Sequence, residues 1–168
     1  MQESALQARQ NMATNEDFGA ADWQAIEAGP FMAGLAIAYS DLSNKVAIAD
    51  EASATGEAIK AGASSTSEIV RTIASRFAAG HRPAIPAIPN KPADAQSALV
   101  NGCRTALALV KASAPGEVDA YGRFLLDCAQ AAAAAAREGG FIGVGFKKVS
   151  EGEELALANL ALALGLPG

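Results

Sequence analysis

A glycine-rich segment near the carboxyl end contains the residue types best suited to binding a ligand. It reads EGGFIGVGFKK over residues 138–148, and its successive amides could form a concave nest that hydrogen-bonds an anion. Two lysines and the positive amino end of a following helix would add to the attraction. The segment therefore predicts a candidate loop for a ligand or partner. Its residues are Gly139, Gly140, Gly143, Gly145, Lys147 and Lys148.

The same segment also suits a purely structural role. Gly139 would end the preceding helix, while Phe141 and Ile142 would hold the loop against the core. This interpretation is favoured because the spacing matches neither of the two common phosphate-binding glycine motifs, and no strand is predicted before it. Two alternatives stay open: a mobile or partner-binding lid, and contact of FIGVGF (141–146) with a membrane surface.

The other reactive side chains form no recognisable catalytic or metal-binding set. His81 is the single histidine, and it follows the predicted end of a helix, where a cation interacts favourably with the helix dipole. Capping is therefore favoured over catalysis, although a pair between His81 and Cys103 or Cys128 stays open. Di-metal bundles use Glu-x-x-His motifs on two helices, and the sequence contains none. We predict no catalytic residue, metal ligand or cofactor, and the sequence favours a protein that is not an enzyme.

The charge balance argues against two classes of partner. There are 13 Lys and Arg residues against 18 Asp and Glu, which gives a net charge of −5. Nucleic-acid binding requires a clustered basic surface, and electrostatic anchoring to a membrane requires a polybasic segment. Two cysteines are too few for a disulfide framework, and the first residues lack the apolar region of a secretory signal. The sequence therefore predicts a cytoplasmic protein without a nucleic-acid partner, and its charge argues against a polybasic membrane anchor.

The distribution of apolar residues predicts an all-α protein. Hydrophobic residues make up 51% of the 168 residues, and they recur mostly at helical spacing. The clusters of β-branched residues that a sheet would require are sparse. We predict one helical domain over residues 18–168, an irregular antiparallel bundle of about six helices. A flexible or short helical segment over residues 1–17 would precede it.

Proline and glycine mark the predicted ends of the helices. The first helix would reach Ala28, where Gly29 and Pro30 interrupt it, and a second would start at Pro30 and run to about Tyr39. The next two helices would end near Gly62 and Gly80. The predicted amino-terminal caps of later helices are Asp41 or Ser43, Ser65 with Glu68, and Ser150 with Glu153.

A proline-rich crossover divides the predicted bundle. The segment HRPAIPAIPNKP (81–92) cannot form a helix and favours an extended conformation, from which Ile85 and Ile88 could pack on the bundle. Strong helical patterns follow over residues 93–113 and 117–138.

The last predicted helix is apolar on all sides. A helix of this kind is normally buried, either in its own core or against a partner, so it is the candidate surface for self-association. Its leucines are Leu155, Leu157, Leu160, Leu162 and Leu164. The predicted core consists of Trp23, Ile26, Phe31, Leu35, Ile69, Ile73, Phe77, Leu99, Cys103, Leu107, Tyr121, Phe124, Leu125, Cys128, Leu155 and Leu160.

Two stretches carry a resemblance to a known family. They are WQAIEAGPFMAGLAIAYSD (23–41) and AAAAAREGGFIGVGFKKVSEGEELALANLALALG (132–165). Together they resemble a family of small all-helical bacterial proteins of uncharacterised function, with a Trp followed by Gly/Ala-Pro and, much later, EGGFxGxG and VSxxE. The resemblance implies one helical domain over most of the chain, and it implies no activity, cofactor or catalytic residue.

These observations favour a non-enzymatic interaction or assembly module that self-associates through its last helix. The main alternative is a small-ligand binding protein or an enzyme, with a pocket for an anionic or apolar compound at the glycine-rich loop 139–148. Peripheral membrane action through FIGVGF is a third hypothesis.

Overall fold

The computed structural model describes residues 17–40, 45–138 and 151–167. Within these ranges the chain forms six α helices and no strand, which confirms the predicted all-α bundle. Two short 3-10 turns, Gly62–Ser64 and Pro115–Glu117, lie between helices. The helices are α1 (Ala20–Ala38), α2 (Lys45–Ala61), α3 (Glu68–Ala78), α4 (Pro92–Ser113), α5 (Val118–Glu138) and α6 (Glu151–Ala163).

The centre of the bundle is α1, which packs against α2, α4, α5 and α6. Small residues cover much of its surface, so neighbouring helices can approach it from several directions. Its buried positions fall on all sides of the helix and include Trp23, Ile26, Ala28, Met32, Ala33, Ala36 and Ile37. The helix that is enclosed on all sides is therefore α1 and not the leucine-rich last helix.

The predicted break at Pro30 is wrong, because α1 continues through it. Proline has no amide hydrogen, so the carbonyl of Ile26, four residues earlier, lacks its usual helical donor. The Tyr121 hydroxyl on α5 supplies a donor instead, and its oxygen lies 2.6 Å from the Ile26 carbonyl oxygen. Gly29 makes room for this contact, since a Cβ atom there would collide with the Tyr121 hydroxyl and lie 3.0 Å from a methyl carbon of Leu125.

The amino end of α3 is capped differently from the prediction. The cap is Ser67, whose side chain accepts a hydrogen bond from the Val70 amide, and Ser65 lies outside the helix. The Ser67 hydroxyl also donates to the buried carboxylate of Glu117, which accepts from the amide of Ile69 at 3.2 Å. The Glu117 carboxylate therefore lies at the positive amino end of α3 and holds the Ser67 hydroxyl in the capping position. The other predicted caps Asp41, Ser43 and Ser150 lie outside the described residues.

The prediction that this helix ends near Gly80 is confirmed, since α3 ends at Ala78. Gly80 has φ +91°, a left-handed conformation that glycine adopts without a steric penalty. The amides of Gly80 and His81 donate to the carbonyls of Phe77 and Arg76 at 3.0 and 2.9 Å, which is the Schellman arrangement. The crossover that follows has no helix until Pro92, and its two isoleucines pack against the core as predicted.

Most of the predicted core is buried. Phe31, Leu35 and Leu107 are half-buried and pack against the core. The placement of Leu155 in the core is wrong, because 62% of this residue is exposed. Of the predicted amino-terminal segment 1–17, only Asp17 is described. Phe18, with which the predicted domain begins, is buried against Trp23.

Candidate functional site

The exposed side of α6 carries the large apolar side chains that remain in contact with water in the described part of the chain. Leu155 and Leu162 are 62% and 80% exposed, and they are the large hydrophobic residues left exposed in residues 17–40, 45–138 and 151–167. They are seven residues apart and so lie on the same side of the helix. On the opposite side, Leu160 and Leu164 are buried in the core. The sequence predicted apolar residues all round this helix, but the fold covers one side only.

The exposed charged residues of α6 itself are both acidic. Glu151 and Glu154, in the first turn of α6, are both exposed. No lysine or arginine occurs in α6 to neutralise them. Between the two exposed leucines the surface consists of Ala158 and Asn159. We call the set Glu151, Leu155, Ala158, Asn159 and Leu162 the α6 face.

The residues predicted for a ligand loop are outside the described structure. Gly139, Gly140, Gly143, Gly145, Lys147 and Lys148 all fall in residues 139–150. Their role as an anion nest, a lid or a structural connection stays a prediction.

A buried carboxylate that the sequence analysis did not single out lies on the central helix α1, next to two partly exposed basic side chains. Glu27 on α1 is only 4% exposed, and its carboxylate accepts a hydrogen bond from Nε of Arg76 on α3. Its second oxygen lies 3.0 Å from Nε2 of His81, which is also 3.0 Å from the Arg76 guanidinium. A guanidinium cannot accept a hydrogen bond. The His81 nitrogen therefore either accepts from Arg76 or, when it carries a proton, donates to Glu27.

This arrangement corrects the role predicted for His81. Its backbone amide takes part in the helix end, but its ring contacts Glu27 and Arg76 and does not cap the carbonyls of α3. Neither cysteine is among its hydrogen-bond partners in the described structure. The cluster fixes the start of the crossover to the central helix, because a buried charge is costly unless it is paired. One signal could have identified Glu27: it is the only charged residue between Asp22 and Asp41.

Cavities of different size and polarity lie between the described helices. A groove of about 450 Å³ runs between α1, α4 and the crossover, with Met32, Ile85 and Gly102 in its lining. A second, of about 410 Å³, lies beside α2 and α5, with Arg123 and Asp127 at its edge. A third, of about 130 Å³, is almost wholly apolar. The groove between α1, α4 and the crossover has polar side chains only at Gln24 and Thr105, which are both exposed, so it presents no converging set of polar groups.

The two cysteines are predicted to be chemically inert in the folded protein. Both are buried, and burial raises the pKa of the Cys103 thiol to about 12 and raises that of Cys128 further. Because the thiolate is the reactive form, we expect labelling by a thiol reagent at pH 8 to be about a thousandfold slower than in denaturant. The measurement compares the native protein with protein in guanidinium, where both thiols should react. If the thiols of the native protein were labelled within minutes, Cys103 and Cys128 could not both be buried as described.

In the described residues no group of three His, Cys, Asp or Glu side chains is placed to hold a metal ion. None of the described helices combines the length and apolarity needed to cross a bilayer. The chain matches no protein family, no curated protein sequence and no solved structure. The resemblance of its two end stretches to small helical bacterial proteins therefore stays a prediction.

Proposed function

We propose that this protein is a non-enzymatic interaction module of the cytoplasm that associates with a second copy of itself through the α6 face. The observation that carries the proposal is the exposure of Leu155 and Leu162 on one side of the same helix. Full burial of a leucine side chain contributes about 1.5–3 kcal/mol. Pairing two copies would remove from water only the exposed parts of four such side chains, 62% of each Leu155 and 80% of each Leu162.

The proposed contact is small, and a weak dimer is expected. The 13 residues of α6 extend over about 20 Å. A standard stable interface buries about 800 Å² on each partner, more than one side of such a helix provides. We therefore expect a reversible dimer with a dissociation constant of about 10–1,000 µM.

Replacing both leucines with glutamate should abolish the dimer. In Leu155→Glu/Leu162→Glu, four carboxylates would have to be buried together, so we expect the dissociation constant to rise by at least about a hundredfold. Sedimentation equilibrium from low micromolar to millimolar concentration measures this. The matched control is Ala108→Glu/Ala112→Glu, which adds the same charge at two exposed positions of α4. A strictly monomeric wild type, or a dimer that survives in the leucine double variant, would refute the proposal.

Binding of a small ligand is the second candidate function. The groove of about 450 Å³ between α1, α4 and the crossover has the volume of small-molecule sites, and its lining favours an apolar compound. The glycine-rich loop would favour an anion instead. A thermal-shift screen with apolar compounds and with inorganic phosphate tests both. Phosphate-dependent stabilisation that disappears in Lys147→Ala/Lys148→Ala would support the loop, and an unchanged shift in that variant would exclude it.

A further inference from the structure

Resting on the second candidate function, ligand binding in the groove between α1, α4 and the crossover, we infer that this groove takes an uncharged molecule with one aliphatic chain and that Ile85 limits the length of the chain. Ile85 lines both the groove and the apolar cavity of about 130 Å³, so it lies between the two. Its side chain therefore closes one end of the groove.

The two cavities follow one another along α1. The groove is lined by α1 residues between positions 21 and 32, and the smaller cavity by α1 residues between positions 31 and 38. Ile85 comes from the crossover, at the point where one set of residues gives way to the other. A chain that lies in the groove and points towards the carboxyl end of α1 would therefore meet Ile85 before it could enter the smaller cavity.

The opposite wall of the groove, α4, runs antiparallel to α1. Met32 of α1 lies against Gly102 of α4, and the Cys103 thiol lies 3.6 Å from the carbonyl oxygen of the earlier residue Gly29. Later positions of α4 are thus beside earlier positions of α1. Thr105 therefore lies at the end of the groove nearest the amino end of α1.

The lining of both cavities favours an uncharged ligand. None of the described residues that line them is charged. Gln24 and Thr105, both towards the amino end of α1, are positioned to hydrogen-bond a hydroxyl group. In the smaller cavity the Thr55 hydroxyl already donates to the Glu51 carbonyl at 2.8 Å. A carboxylate in either cavity would lose its hydration without gaining a charged partner, so the ligand class is an alkyl alcohol and not a fatty acid.

The prolines of the crossover hold Ile85 in place. Proline fixes its own φ and keeps the residue before it out of the helical region, so Pro86 restricts Ile85 to an extended conformation. Pro83, two residues earlier, restricts the approach to this position in the same way. The Ile85 side chain also packs against the core. A ligand therefore cannot easily push the residue aside.

The dimensions of α1 give the expected chain lengths. Gln24 and Met32 are about 12 Å apart along the helix axis, and Gln24 and Ala38 are about 21 Å apart. An extended chain advances about 1.2 Å per bond, so the groove alone holds about ten carbons and both cavities together about seventeen. Removing the Ile85 side chain should join the two cavities and raise the limit.

A series of straight-chain alcohols from octanol to dodecanol tests this limit. The full-length protein is titrated calorimetrically into each alcohol below its solubility. In the wild type we expect the affinity to rise about fourfold with each methylene up to about decanol and then to level off. In Ile85→Ala the rise should continue, so that dodecanol binds about tenfold more tightly than to the wild type. Decanoate should bind at least about tenfold more weakly than decanol.

Two variants serve as controls. Ile88→Ala truncates the next isoleucine of the crossover, which packs against the core but is not in the lining of either cavity, and it should keep the wild-type limit. Ala52 is an exposed residue in the lining of the smaller cavity. Ile85→Ala/Ala52→Leu fills that cavity again and should lose the additional affinity for dodecanol.

The outcomes separate this inference from the candidate function on which it rests. A limit at decanol in folded Ile85→Ala would overturn the role of Ile85 and leave ligand binding in place. The wild type alone gives the same test, because an affinity that rises unbroken through dodecanol would also overturn that role. Decanoate that binds as tightly as decanol would overturn the ligand class. A wild type that binds none of the alcohols would overturn the apolar ligand site itself.

Discussion

Tyr121→Phe is expected to destabilise the protein by about 1–3 kcal/mol, the usual cost of leaving a buried polar group without its partner. The hydroxyl of this fully buried side chain donates to the Ile26 carbonyl, which Pro30 leaves without a helical donor. Burial raises the pKa of Tyr121 well above its usual value, so the hydroxyl stays protonated and keeps its donor at every ordinary pH. Urea denaturation of both proteins measures the loss.

Pro30→Ala should rescue this variant. Alanine restores an amide at position 30 that can donate to the Ile26 carbonyl, so the phenol is no longer required. We therefore expect Tyr121→Phe to cost at least about 1 kcal/mol less in the Pro30→Ala background than in wild type. Tyr39→Phe, at the half-buried end of α1, is the matched control and should change stability by less than about 0.5 kcal/mol. If the costs of Tyr121→Phe and Pro30→Ala simply add, the hydroxyl does not replace the missing amide.

Gly34→Ala should destabilise the protein by about 3 kcal/mol or more. A Cβ atom at position 34 would collide with the Thr55 hydroxyl and lie 2.7 Å from its methyl carbon and 3.0 Å from its Cβ. Thr55 cannot easily move away, because it is β-branched and its hydroxyl donates to the Glu51 carbonyl at 2.8 Å. The crossing of α1 and α2 would have to widen.

Gly102→Ala is the matched control for that experiment. The nearest atoms to a Cβ there all belong to the Met32 side chain, and the two that it would crowd are the sulfur and the methyl carbon at its flexible end. Since alanine also raises helix propensity by about 1 kcal/mol, we expect a change of less than about 1 kcal/mol. Thr55→Ala should recover part of the loss in Gly34→Ala. Equal effects of Gly34→Ala and Gly102→Ala in thermal or urea unfolding would contradict the close crossing of α1 and α2.

Local signals in the sequence were enough to predict most helix ends. Gly80 ends α3 because a left-handed residue is needed there, and glycine meets that need without help from the rest of the fold. Pro92 starts α4, since a proline at the first turn loses no hydrogen bond. The stretch of prolines before it excludes a helix for equally local reasons. Such features depend on backbone chemistry within a few residues.

The two wrong predictions of helix ends, at Pro30 and at Ser65, involve partners that are distant in the chain. Pro30 does not break α1 because Tyr121, on another helix, bonds the carbonyl it leaves free. Ser67 rather than Ser65 caps α3, because the Glu117 carboxylate lies against that helix end. The residues next to Tyr121 and Glu117 in the sequence do not indicate that Tyr121 bonds the Ile26 carbonyl or that Glu117 accepts hydrogen bonds at the amino end of α3.

The composition of the chain determined that it is helical and which segments carry apolar residues. Only the tertiary structure decided which sides of those helices face inward. α1 and α6 are both rich in apolar residues on every side, yet α1 is enclosed by four neighbouring helices while α6 keeps Leu155 and Leu162 in contact with water. Helix periodicity identifies a buried side by its contrast with a polar one. Where that contrast is absent, burial depends on how many neighbours a helix has, and that number is a property of the whole fold.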